Sequence, residues 1–312
     1  MTTLAFMLRS YGPDSAYADR LVESFRRFNF EGIHLYCVVP SEDVPLFEHL
    51  GGADVTVMGD SPFAPMFVRE EVSGLRPGYI NQEIVKLAFW ETGLADNYFC
   101  VDSEAVFLRP FGFADFMATD SVPYTVLFED RDLAVEPRYH REHWTTRQES
   151  TRRIHDEVGI ADPILRTCHG HQIMSATVLR SFMEEFLAPR GWTYTDALKF
   201  EPLEFTWYNM WLQKSQAIPI HAREPLVKVF HHEGHHMEYM LRGIDLTDVA
   251  RGYLALVVNS NFARTLADGT KMQTSIDMDK PSGLAPYLSY AEVARLMRSK
   301  LASSWRRVTG TR

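Results

Sequence analysis

The stretch NYFCVDSEAVFLRP, residues 97–110, decides the fold. Tyr98, Phe99, Cys100 and Val101 form a short apolar run that stops at two carboxylates, Asp102 and Glu104, spaced one residue apart. The run reads as a buried strand. In an open α/β sheet, ligands bind beyond the carboxyl ends of the strands, and an acid-x-acid pair there can hold a divalent ion against a diphosphate. The competing reading is a solvated turn after a buried strand, and the rest of the chain weighs between the two.

Upstream, the pattern alternates. Leu4 to Leu8 is a short apolar run, followed by the turn residues Tyr11-Gly12-Pro13-Asp14. Leu21, Phe25 and Phe28 then fall at helical spacing behind the cap candidates Asp14 and Ser15. Ile33 to Val39 is a second strand, Glu42 to Leu50 a helix, and Val55 to Met58 a third strand after Gly51-Gly52. Ile80, Ile84, Leu87 and Ala88 predict a helix just ahead of Asn97, which puts Asp102 at the end of about the fourth strand of a mainly parallel sheet. Downstream, Tyr124 to Phe128 reads as a strand and Glu129 to Glu157 as a charged stretch. Met174, Val178, Phe182 and Phe186 mark one face of a further helix.

No repeat, low-complexity tract or Pro/Gly/Ser-rich linker interrupts the chain. The expectation is one domain over 1–270 and an extension over 271–312. In that extension Val293, Leu296, Met297, Leu301 and Trp305 share a helical face among six basic residues, with no acid after Glu292. Packing on the domain is the simpler role for this helix, and peripheral membrane contact the sharper one.

Composition limits the partners. The chain's 312 residues, 46% hydrophobic, can bury a large α/β core, and a net charge of −9 argues against general nucleic-acid binding. Cys37, Cys100 and Cys168 form no CxxC pair and read as reduced thiols. No signal peptide and no run of 18 or more apolar residues is seen, so a cytoplasmic protein is expected.

The segments GYINQEIVKLAFWETG and NYFCVDSEAVFLRPF together resemble the donor-site signature of GT-A-type glycosyltransferases, and more narrowly a bacterial family known only as a domain of unknown function. TCHGHQIMSATVL from Thr167, PLEFTWYNMWLQK from Pro202, EPLVKVFHH from Glu224 and GYLALVVNSNF from Gly252 extend the resemblance over about residues 3–262. The resemblance implies a Rossmann-type nucleotide-sugar-binding sheet with helical elaborations after the acid-x-acid motif. It also implies a nucleoside-diphosphate sugar donor, a saccharide or glycoconjugate acceptor and a divalent cation. Asp102, Glu104 and His231 would hold the ion. Ser103 completes the motif, Tyr11 and Asp14 would meet the nucleotide base and ribose, and Gln82 and Lys86, one turn apart on a helix, would lie near the pyrophosphate. Glu104 stands where aspartate is usual, and the longer side chain suits Mn²⁺ better than Mg²⁺.

Glu204 is the candidate general base, or else a carboxylate favouring a helix N-terminus. His169 and His171 flank Gly170 as pocket-lining residues, His171 being the catalytic candidate, or as structural histidines. Trp207, Tyr208 and Trp211 suit a sugar face or a core.

Two other classes stay open. His232-Glu233-Gly234-His235-His236 matches the H-E-x-x-H pattern of zinc metallopeptidases, although Gly234 in the middle of the required helix costs about 1 kcal/mol relative to Ala. A non-catalytic nucleotide- or sugar-binding protein uses the same sheet.

Overall fold

Runs buried on both faces make the central strands. β1 (Leu4–Arg9) and β4 (Asn97–Asp102) are each buried along their first five residues, as parallel strands covered on both sides must be. With β2 (His34–Val39) and β3 (Val55–Gly59) they pair in parallel, and β7 (Ile173–Ser175) adds to β4 antiparallel. The sheet order is β3-β2-β1-β4-β7. The chain moves outward from β1 to β3 and then returns to the other side of β1, so the strand order reverses between β1 and β4, where open α/β sheets bind ligands. Asp102 is paired in register with Arg9 at this point.

The structure, a computed structural model, describes residues 3–127, 137–163, 171–230, 239, 242–258, 294 and 298, and of 137–146 only the backbone. The chain divides into two units, Met1–Ala105 with Pro110–Leu226, and Val106–Arg109 with Val227–Arg312. The boundary expected at 270 and the basic amphipathic helix lie outside the described residues, as does Cys168.

In the first unit, alternation along the strands sorts the aromatic rings. Phe6 and Phe99 pack edge to face, and Phe6 also meets Phe25 of α1 (Ser15–Phe28), Phe111 and Phe116. Tyr98, on the opposite face, meets Phe89, and its hydroxyl donates to the Lys86 carbonyl of α3 (Pro77–Ala88) at 2.7 Å. Cys37 and Cys100 are free and buried, and burial pushes the Cys37 thiol up to about 12.

Four local expectations differ from what is seen. Over Ser41–Leu50 the expected helix is broken into a 3₁₀ turn, the short α2 (Val44–Phe47) and another 3₁₀ turn. Pro45, lacking an N–H, sits in the first turn of α2, where it is tolerated and where it cannot continue a helix from upstream. The expected 124–128 strand shortens to β6 (Thr125–Val126), paired with β8 (Ala222–Arg223). Much of the charged stretch is α4 (Pro137–Val158). Met174 belongs to β7 and not to the helix with Val178, because that helix, α5 (Ala176–Ser181), starts only after the strand; Phe182 and Phe186 follow in a π-helical segment.

Beyond α6 (Tyr194–Phe200), α7 (Glu204–Ser215) is buried along its first nine residues. Trp207, Tyr208 and Trp211 are core residues here, not a sugar platform. Trp207 Nε1 donates to the Glu201 carbonyl, Trp211 Nε1 to Ser181 Oγ, and the Tyr208 hydroxyl accepts from Ser175 N–H. Each polar tip therefore has a partner inside the core.

The second unit contains β9 (Val227–Phe230), parallel to β10 (Ala255–Val258), with β5 (Ala105–Phe107) on the other side of β10. Leu246 and Val249 of α8 (Leu246–Gly252) join Phe230, Leu256 and Val258 in its core. Lys228 is fully buried in this unit, beneath the rings of Phe230, Tyr239 and Tyr253.

Candidate functional site

The acid-x-acid motif begins where β4 ends. Asp102 closes the strand with its side chain 37% exposed, and Ser103, buried, donates to Ser10 Oγ at 2.9 Å. Ser10 follows β1, so this bond ties together the two strand ends at which the order reverses.

The antiparallel register of β7 supplies the next residue. β4 and β7 pair Tyr98 with Met174 and Phe99 with Ile173, and Cys100 N–H donates to the Gln172 carbonyl. An antiparallel neighbour brings its start, not its end, to the carboxyl edge of a parallel sheet. His171 therefore lies beside Asp102, Nε2 to Oδ2 being 3.5 Å. Gln172 fixes it there: its side chain accepts from Val126 N–H and donates to the Val126 carbonyl and to Asn209 Oδ1. His171 is 4% exposed, has φ of 59°, and among the described residues neither ring nitrogen has a hydrogen-bond partner. A left-handed non-glycine residue costs roughly 1–2 kcal/mol and an unsatisfied buried polar group about 1–3 kcal/mol.

Behind Asp102 lies a buried ion cluster. Lys86 Nζ donates to Glu204 Oε1 at 2.9 Å and lies 3.6 Å from Glu83 Oε1. These residues come from two helices, α3 carrying Glu83 and Lys86 on its buried side and α7 carrying Glu204 in its first turn. Burial works against the Lys86 ammonium, but Glu204 and Glu83 overcome it and hold its pKa well above the ordinary value. Glu204 is pushed up by burial and brought below its ordinary value by Lys86 and by hydrogen bonds from Glu83 and Lys86. Asp102 is likewise pushed up by burial and pulled lower by His171 and Lys86. His171 is lowered by burial and by Lys86, against Asp102.

Glu83 takes the opposite direction. Burial first, then the Glu204 charge, raise its carboxyl well above the usual range against the pull of Lys86. Among the described residues its Oε2 has no hydrogen-bond partner, and a hydrogen bond with Glu204 adds to the rise. The folded state thus binds the Glu83 proton more tightly than the unfolded chain does, and stability falls as pH rises from about 4.3 toward the folded-state value. Glu83→Gln keeps the shape and the donor while removing the titration. Scanning calorimetry is expected to show the Tm of the variant gaining on the parent as pH rises above about 4.3; a difference independent of pH contradicts the assignment.

Glu104 has different neighbours. Its charge acts on Tyr11 and Tyr17, whose hydroxyls are raised first by burial, and on Arg20, lowered by burial against Tyr17 and Glu104. Tyr11 is hydrogen-bonded to Arg76 and feels Asp14, so Tyr11, Asp14 and Glu104 form a second polar group around the start of α1. Gln82 is half-buried on α3. His231, His169 and the 232–236 histidine cluster lie outside the described residues. Among the described residues no three His, Cys, Asp or Glu side chains come together as a metal set.

The sequence reading missed Glu83, Tyr79 and the Arg9–Asp60 pair. Tyr79, Glu83 and Lys86 fall at i, i+4 and i+7, a polar stripe running beside Ile80, Ile84 and Leu87, and that coincidence was the available signal. Arg9 Nη2 reaches Asp60 Oδ2 at 2.8 Å, and Asp60 also accepts from Ser41 N–H and Oγ, which fastens the ends of β1 and β3 to the turn after β2.

Residues 2–239 match the model of a family described as a family of unknown function, DUF6492. No curated protein matches the chain. Among solved structures it is similar to the apo crystal structure of mouse xyloside xylosyltransferase 1, with 12% identity over 84% of this chain and 99% of that chain and a TM-score of 0.46. No helix among the described residues is long and apolar enough to cross a membrane.

Proposed function

We propose a function for a chain that belongs to DUF6492, a family of unknown function: transfer of a sugar from a nucleoside-diphosphate sugar to a saccharide or glycoconjugate acceptor, on a GT-A-like sheet and with a divalent cation. The observation that carries this reading is the position of Asp102. It ends β4 beside β1, at the reversal of a β3-β2-β1-β4 order, partly exposed and backed by buried polar side chains. That is where an α/β sheet accepts a phosphorylated nucleotide.

In this reading Asp102 and Glu104 would hold the ion, with Mn²⁺ favoured over Mg²⁺, and Ser103 steadies the motif through Ser10. The orphaned, buried nitrogens of His171 next to Asp102 are the feature of this chain that suits a bound cation. When bound, the cation neutralises charge on the departing nucleoside diphosphate. The protein's own residues do the rest. Tyr11 and Asp14 meet the nucleotide, Gln82 and Lys86 lie toward the pyrophosphate, and the sheet edge aligns the acceptor hydroxyl with the anomeric carbon. The acceptor oxygen bonds to that carbon as the bond to the diphosphate oxygen breaks. Glu204 would take the hydroxyl proton, and its pairing with Lys86 keeps it ionised at neutral pH.

Calorimetry with UDP, GDP and CDP, with and without Mn²⁺, tests the reading. Metal-dependent heat with one of them is expected, followed by release of that nucleotide from a matching sugar donor. Nucleotide or sugar uptake without any donor turnover would make the chain a binding module. Tight Zn²⁺ with cleavage of a casein-type substrate would make it a peptidase.

A further inference from the structure

His171 carries two unfavourable features at once. It is buried with both ring nitrogens unpartnered among the described residues, and its backbone is left-handed, which β-sheet starts do not require. Outliers of this kind persist where the surroundings over-determine them, and they concentrate at sites that hold a ligand. The direction of the side chain says which ligand. Nε2 is 3.5 Å from Asp102 Oδ2, at the limit of any hydrogen bond, and no hydrogen bond between them is formed. Two atoms bound to one ion at about 2.1–2.2 Å, and opening an angle between octahedral and tetrahedral values, are themselves separated by about 3.0–3.6 Å.

Charge agrees with the geometry. The Lys86 ammonium is already engaged by Glu204 at 2.9 Å and lies 3.6 Å from Glu83, so it leaves the Asp102 carboxylate available to a further cation. A cation placed between Asp102 and His171 gives Nε2 the partner it lacks.

We propose that His171 Nε2 and Asp102 Oδ2 are adjacent ligands of the divalent cation, and that the imidazole selects a transition-metal ion over Mg²⁺. This rests on the function proposed above and adds to it a ligand supplied by the antiparallel strand. Imidazole suits first-row transition ions, whereas Mg²⁺ is held by oxygen. Asp102, Glu104 and His171 leave the rest of the shell to water and diphosphate oxygens, so the ion is held firmly only with nucleotide present.

The test uses the full chain with Mn²⁺ and whichever of UDP, GDP or CDP binds. Pulsed electron paramagnetic resonance of the bound Mn²⁺ is expected to show imidazole nitrogen coupling. His171→Asn should abolish that coupling and weaken Mn²⁺ at least about tenfold in the presence of nucleotide, narrowing the preference for Mn²⁺ over Mg²⁺. Asparagine tolerates positive φ, so this variant keeps the backbone, and an unchanged melting profile confirms its fold. His171→Gln serves as the second variant. Coupling that survives in His171→Asn and disappears in His231→Gln overturns the assignment, as does Mn²⁺ bound with no nitrogen coupling at all; both leave the transferase reading standing. Failure of Mn²⁺ to bind with any of the three nucleotides overturns the transferase reading together with this one.

Discussion

Replacing Lys86 by methionine is expected to lower stability by about 3–5 kcal/mol, the usual consequence of removing one partner from a buried ion pair. Methionine matches the length of the stem, which leaves packing beneath Phe205 largely intact, so the loss is electrostatic. Glu204 then keeps a charge, 7% exposed, with its cation gone, and Glu83 sits beside it as a second acid. Urea denaturation reads the effect as a lower midpoint with an unchanged slope. Two features identify the cause. With Lys86 absent, both carboxyls titrate above their unfolded values, so the variant recovers stability as pH falls and loses it as pH rises. Adding Glu204→Gln removes the stranded charge and should restore more than half of the loss. A deficit that is flat with pH, or that Glu204→Gln leaves untouched, would mean that Lys86 contributes packing alone.

How much of this cluster is legible from sequence depends on range. The β-α alternation through residue 102 is local: apolar runs bounded by turn residues give β1 to β4, and the acid pair after Val101 marks the strand end where it is found. β7 is different. Its three residues, Ile173–Ser175, run into α5 without a turn, and Met174 happens to continue the helical spacing of Val178 and Phe182, so period alone cannot separate strand from helix. Only pairing with β4 decides, and that pairing is what carries His171 to Asp102. Glu83 was overlooked for a related reason. A glutamate three residues before a lysine looks like a solvated helix pair, and nothing within α3 reveals that Glu204, 118 positions beyond Lys86, closes over them. Conversely Trp207, Tyr208 and Trp211 suggest a sugar platform by residue type, while their hydrogen bonds to Glu201, Ser175 and Ser181 make them the packed base on which that cluster sits.

Asp102→Asn is expected to remove the metal-dependent part of nucleotide binding, with apparent Mn²⁺ affinity in the presence of nucleotide falling at least about 100-fold and donor turnover falling with it. The amide keeps the size of the side chain but replaces a charged oxygen by a neutral donor and acceptor, and a divalent ion next to a diphosphate depends on that charge. Folding is expected to change little. The Asp102 side chain is 37% exposed and its approach to His171 is too long for a hydrogen bond, so little native-state energy is lost with the charge. Glu104→Gln provides the comparison. Glu104 shares its surroundings with Tyr17 and Arg20, so its removal is expected to weaken the ion less than Asp102→Asn and to shift the titration of Tyr11 and Tyr17 downward. Calorimetric titration of Mn²⁺ into nucleotide-saturated protein ranks the two variants. Undiminished metal-dependent heat in Asp102→Asn would remove the centre of the proposed site, because the cation would then be held by residues other than the strand end that makes this edge of the sheet a donor site.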